Sequence, residues 1–184
     1  MEVEVSAEAK DKRLNRLVAI TVVVLSVFMG LCNIKDGNIV QAMQQAQANA
    51  VDRWGEYQAT RTKLHIVETA RAQLAAAPAS AAVQSTVKHF DAAVAKYERE
   101  SPTLSKEAQG FSDEYDALNV HDDQFDAAEA SLTTAISIAA VAALTESWLP
   151  LIASWVFGAF GLFMTLCGFA GLPFHPDVLS TLLG

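Results

Sequence analysis

Charged residues leave three long gaps in this chain: Leu17 to Ile34, Ala130 to Thr145, and Ser147 to Pro176. Between the first and second gaps runs a charged segment with helical periodicity. A helix needs about 20 mostly apolar residues to cross a bilayer. The pattern predicts an all-α membrane protein: one transmembrane helix, a long extramembrane antiparallel helical hairpin with a coiled-coil-like seam, then two further transmembrane helices. The expected boundaries are an amino-terminal tail at 1–16, spans at 17–34, 130–145 and 147–172, the hairpin at 35–129, and a carboxy-terminal tail at 173–184. The uncharged part of the second span covers only about 24 Å at 1.5 Å per residue. Its helix is therefore expected to continue upstream, where Phe125 to Leu144 contains neither Gly nor Pro.

Within the charged segment, Ile39, Met43, Ala46, Ala50, Trp54, Tyr57, Leu64, Val67 and Leu74 form a helical stripe with a gap near Thr60 and Arg61. Pro78 ends this helix and Ala79-Ser80 makes the turn. On the return, Val83, Val87, Phe90, Val94 and Tyr97 alternate spacings of four and three, and Leu104, Ala108, Phe111, Tyr115 and Leu118 repeat that alternation. This is heptad spacing. Between the two runs, Ser101-Pro102 predicts a kink, or a fresh helix start capped by Ser101. The seam is thin, because many outgoing positions are Ala or polar. A two-helix hairpin of this quality buries too little to offset chain entropy, so a homo-oligomer is expected.

Composition narrows the class. The chain of 184 residues is 52% hydrophobic with a net charge of −8, which argues against a nucleic-acid surface. The basic cluster Lys10, Lys12, Arg13 and Arg16 places the amino terminus in the cytoplasm by the positive-inside rule. The segment from Lys35 to Glu129 then lies outside, which is the periplasm if the source is a Gram-negative bacterium with the spans in its inner membrane. The first apolar run lacks an A-x-A-like exit and exceeds a signal core of about 7–15 residues, so it reads as a retained anchor. Cys32 and Cys167 both fall in apolar blocks and predict no disulfide framework.

Candidate chemistry is sparse. Asp122, Asp123 and Asp126, with Glu129, precede the second span and form a candidate cation-attracting cluster, or else a solvated acidic surface. Ser154, Gly158, Gly161, Thr165 and Gly168 place small residues on one face of the third span. They serve packing within the chain or a contact between copies. Thr133, Thr134 and Ser137 line a pore or bond their own helix. His65 and Glu68 share a helix face. No His or Cys stands at zinc spacing from another, and no nucleophile elbow, phosphate loop or dinucleotide fingerprint is present. No enzymatic activity, metal or cofactor is expected. The partners expected are the lipid bilayer and further copies of the chain.

The stretch Trp54-Gly-Glu-Tyr57-Gln58-Ala-Thr-Arg-Thr-Lys63-Leu-His65 resembles a W-x-x-Y-Q-A-K-x-x-K-x-H segment of the bacterial DUF4337 family. Gln124-Phe125-Asp126-Ala-Ala-Glu129, running into an apolar helix, resembles its R-F-D-x-A-E segment. The layout of spans is similar too. The chain departs from the pattern at Thr60 and Arg61, and at the turn Glu146-Ser147, which lacks basic residues. The resemblance implies no activity and no catalytic residue. It marks Trp54, Tyr57, Gln58, Lys63, His65, Phe125, Asp126 and Glu129 as motif residues, with the aromatics as packing anchors. From these readings the expected role is a self-assembling scaffold or accessory component, with a homo-oligomeric channel as the alternative.

Overall fold

The computed structural model describes residues 12–174. The amino-terminal tail before Lys12, the end of the chain and His175 lie outside the described residues. Three helices account for nearly all of the rest: α1 (Lys12–Ala75), α2 (Ala81–Thr145) and α3 (Trp148–Ala170). All three contain stretches long and apolar enough to cross a membrane.

Helix α1 joins the first apolar run to the charged segment without interruption. Gly37 falls within it, and a single glycine weakens a helix by only about 1 kcal/mol relative to alanine. The helix closes at Ala75 with tightened turns, Ala76 N–H to Gln73 O and Ala77 N–H to Leu74 O. Pro78 follows. Ser80 then caps α2, its Oγ accepting the Val83 N–H at 3.2 Å and its carbonyl accepting that of Gln84.

Of the kink or fresh start expected at Ser101-Pro102, the fresh start does not occur, because Pro102 lies inside an uninterrupted α2. Proline removes one N–H donor from the helix ladder. Ser101 does not cap a new helix; its hydroxyl donates back to Tyr97 O at 2.8 Å. Further along, α2 ends at Thr145. Glu146 takes a left-handed conformation, φ 47°, and Ser147 occupies the N-cap of α3 without a side-chain cap bond. Pro150 sits in the first turn of α3, where its missing N–H has no helical acceptor anyway.

The chain divides into two compact units, Met1–Gln41 with Leu118–Gly184, and Ala42–Ala117. In the second unit, Arg71 pairs with Asp91 at 2.5 Å and Arg53 with Glu107 at 3.3 Å. Descending α1 thus meets ascending α2, an antiparallel register. The heptad positions of α2 from Val83 to Tyr115 all turn away from solvent, but most are only half-buried. The stripe gap on α1 is filled: Thr60 itself is buried, between half-buried Tyr57 and buried Leu64.

The first unit is a three-helix assembly. At one end Leu14 and Val18 cluster with Ala139, Ala142 and Leu151. The small-residue stripe of α3 faces this interior. A Cβ at Gly158 would meet Leu25 at 3.2 Å, at Gly161 Leu132 at 2.8 Å, and at Gly168 Phe125 at 2.7 Å. Ser154 Oγ donates to Ala135 O at 2.7 Å. Of the two roles open to this stripe, the structure displays packing within the chain. The remaining cross-links are polar but dispersed. Trp155 donates to Thr21 at 2.9 Å and Thr133 to Met29 Sδ at 3.3 Å. Cys32 lies 3.2 Å from Thr165. The Thr165 hydroxyl spends its proton on Gly161 O, so the Cys32 thiol is the donor.

Candidate functional site

At the other end of the three-helix unit, four carboxylates gather. Asp122, Asp126 and Glu129 follow one another at spacings of four and three along α2 and therefore share a face. Asp36 joins them from α1, one residue past Lys35 at the end of the first apolar run. Asp36 Oδ1, Asp122 Oδ1 and Glu129 Oε1 are buried and receive no hydrogen bond. Asp122 stands close enough to the Asp36 carboxyl for that neighbour to favour its protonated form. Two carboxylates side by side away from water disfavour double ionisation, so Asp122 is the member pushed toward its protonated form.

The electrostatics follow from that crowding. Desolvation, then the Asp36 charge and hydrogen bond, and then Asp126 and Asp123, push Asp122 up to about 7. Asp126 is raised too, by desolvation first and then by Asp36 and Asp123. Burial disfavours a lone carboxylate, and a like charge nearby disfavours it further. Asp122 therefore changes its charge around neutral pH. Asp123 accepts from Asn119 at 3.4 Å and adds its charge to the group. Among the described residues, no three His, Cys, Asp or Glu side chains converge well enough to hold a metal ion.

Beside the cluster, Gln124 is fully buried. Its amide nitrogen donates to Leu172 O at 2.8 Å and to Phe174 O at 2.5 Å, and its oxygen lies 3.0 Å from His121 Nδ1. Because the amide uses both N–H groups on carbonyls, His121 must donate, which fixes the proton on Nδ1. Gln124 thus ties the segment after α3 to α2. The left-handed Gly171, φ 64°, closes α3 and lets Leu172 N–H reach Cys167 O at 3.0 Å. Phe125, also fully buried, packs edge-on against Phe169 with centroids 5.3 Å apart.

The other motif residues lie in the second unit. Trp54 and Tyr57 are half-buried and in edge contact at 5.6 Å. Gln58, Lys63 and His65 are exposed, and His65 meets Glu68 at 3.2 Å. Thr134 and Ser137 bond carbonyls one turn back on their own helix, the local role open to them. Sequence reasoning grouped Asp122, Asp123 and Asp126, set Glu129 on a face with His121 and Phe125, and missed Asp36 and Gln124. The available signal was positional: Asp36 and Glu129 border the facing ends of two successive spans, and Gln124 stands three residues from His121.

Comparison with protein families matches residues 14–171 to a family described as Domain of unknown function (DUF4337). No curated protein and no solved structure matches the chain.

Proposed function

We propose, for a chain that belongs to the DUF4337 family and takes no assigned activity from it, a non-enzymatic, self-assembling scaffold or accessory component of a bacterial inner membrane. The apolar stretches of α1, α2 and α3 embed as three spans. Large apolar side chains that the chain leaves exposed, among them Val23, Val27, Val156, Phe163 and Leu166, face lipid. Residues 35–129 form a coiled-coil-like hairpin on the periplasmic side. With the amino terminus in the cytoplasm, the carboxylate cluster lies at the periplasmic end of the spans.

One observation carries self-assembly. From Val83 to Tyr115 the hydrophobic seam of α2 is mostly half-buried, although α1 packs beside it. Val51 and Ile66 on α1 are about as open as surface residues, at 66% and 62% exposure. A second copy buries what one pair of helices leaves in water, and the gain scales with apolar area at about 25 cal/mol per Å². The native mass of the complex, measured in lipid nanodiscs or mild detergent, tests this. A single integer multiple of the chain mass above one is expected; a monodisperse monomer overturns it.

The carboxylate cluster favours a second reading, a homo-oligomeric channel with an acidic mouth. Rings of carboxylates at a pore entrance concentrate cations. That reading requires cation currents in planar bilayers that fall in Asp122→Asn and Asp126→Asn, and silent bilayers at high protein load sink it.

A further inference from the structure

The two-helix unit Ala42–Ala117 has two flanks, and they differ. On one flank Phe111 lines two hollows of about 260 and 290 Å³ that α1 and α2 form together. Their rim is acidic: Asp52, Glu56, Glu107 and Glu114 stand against Arg53. Arg53 is already held by Glu56 at 2.6 Å and Glu107 at 3.3 Å, so Asp52 and Glu114 make no salt bridge. Gly110 forms part of the wall, and a Cβ there would meet nothing within 4 Å.

Trp54 stands on the opposite flank. It is two residues from both Asp52 and Glu56, which at 3.6 residues per turn puts it about 160° round α1 from each. It is the only tryptophan between residues 42 and 117, and it is half-buried beside Tyr57. Arg61, seven residues on, shares its face; it is exposed and makes no salt bridge. Glu68 on the same face is taken up by His65 at 3.2 Å. Tryptophan and arginine are the residue types that most often dominate interface energetics. Here they face away from a flank whose free charges are negative and whose hollows are lined by an aromatic ring.

We propose that the Trp54 flank of one copy seats against the Phe111 hollows of a second copy, with Arg61 against the acidic rim. The inference rests on the self-assembly proposed above and names its surface. Height argues for a second copy as the occupant. Copies held by the same spans stand the same way up, and the hollow's α1 residues, Asn49 to Glu56, bracket Trp54, so the two halves meet without a shift along the axis. Charge argues the same way, since each flank carries what the other lacks. The α1 part of this unit is about 50 Å long and a helix about 10 Å wide, roughly 500 Å² on each partner. That makes roughly 1,000 Å² in total, the size at which specific interfaces begin. Because the flanks differ, the contact is heterologous, and its repetition about an axis normal to the bilayer closes a ring.

The test places photoreactive benzoylphenylalanine at position 54 of the full-length protein in its own membrane. Irradiation should join two copies, with the adduct on residues 107–114 of the second. Native mass over a dilution series then reads the strength of the contact. Trp54→Ala should raise the dissociation constant about thirtyfold or more, and Ile66→Ala, on the side of α1 between the flanks, less than about threefold. Gly110→Leu fills the receiving hollow without touching Trp54. Leucine is the better helix former, so the thermal midpoint should hold or rise while assembly weakens about tenfold or more, which separates a blocked contact from misfolding. A multimer whose adducts fall elsewhere, within one chain or on another polypeptide overturns this surface and leaves self-assembly standing. Equal losses in Trp54→Ala and Ile66→Ala do the same. A wild-type monomer overturns both.

Discussion

Replacing Gly161 by alanine adds one methyl group at a close approach of α3 to α2. Its Cβ would stand 2.8 Å from Leu132 Cγ, 2.9 Å from Leu132 Cδ2 and 3.1 Å from the backbone oxygen of Ala128. Aliphatic carbons rest about 3.5–4.0 Å apart, so about 1 Å must be found. Leu132 is fully buried and has little room to swing aside, and the Ala128 carbonyl moves only if α2 moves. Overpacking of this kind costs ~1–3 kcal/mol. Alanine returns ~0.5–1 kcal/mol because glycine is the poorer helix former, leaving a net loss of about 1–2 kcal/mol. Gly30 is the control, since a Cβ there meets nothing within 4 Å; Gly30→Ala should be neutral or slightly stabilising. Unfolding of both variants in identical bicelles by steric trapping measures the difference. Equal stability of Gly161→Ala and Gly30→Ala would refute the helix contact on which the three-helix unit rests.

Other outcomes follow from the same contacts. Gln124→Met keeps length and bulk but loses the bonds to Leu172 and Phe174 carbonyls, so it should cost about 1–3 kcal/mol and speed hydrogen exchange at Leu172. Ser154→Ala should cost only about 0.6 kcal/mol, read by the same unfolding assay, because a helix carbonyl such as Ala135 O keeps its ladder partner. The pH dependence of stability has a definite sign: Asp122 is raised in the folded protein to about 7, so its stabilisation is full below the ordinary aspartate range and is lost as pH rises through about 7. Melting midpoints should therefore fall between pH 5 and 8, and Asp122→Asn should flatten that slope; an unchanged slope would contradict the raised Asp122.

Much of the architecture was legible because it depends on local rules. Gaps in charge mark apolar helices, Pro78 with Ser80 marks a turn, and four-three spacing marks the inward face of α2. What was hidden depends on pairing. Asp36 reads as a boundary residue until the first and second apolar runs lie side by side, and only then does it meet Asp122. Thr60 reads as a gap because it is polar, yet helical geometry carries it inward with Tyr57 and Leu64. Pro102 reads as a kink or a fresh start because local propensity disfavours proline within a helix, yet α2 passes through without a new start. The small-residue stripe was visible as a stripe, but spacing alone does not say whether its partner is the same chain or another copy; the close approaches of Leu25, Leu132 and Phe125 answer for this chain. The functional class was not legible, since nothing in spacing or composition forms a catalytic constellation.

Thiol accessibility in intact cells tests the central claim most directly, that the apolar stretches embed while the charged segment projects outside. In a background with Cys32→Ala and Cys167→Ala, single cysteines replace Val23, Val51, Ile66 and Val156. These four are nearly equally open in the isolated chain, at 63%, 66%, 62% and 66% exposure, so only a bilayer distinguishes them. The account predicts that a membrane-impermeant maleimide labels positions 51 and 66 and spares 23 and 156. Labelling of all four alike, or of 23 and 156 in preference, would contradict it.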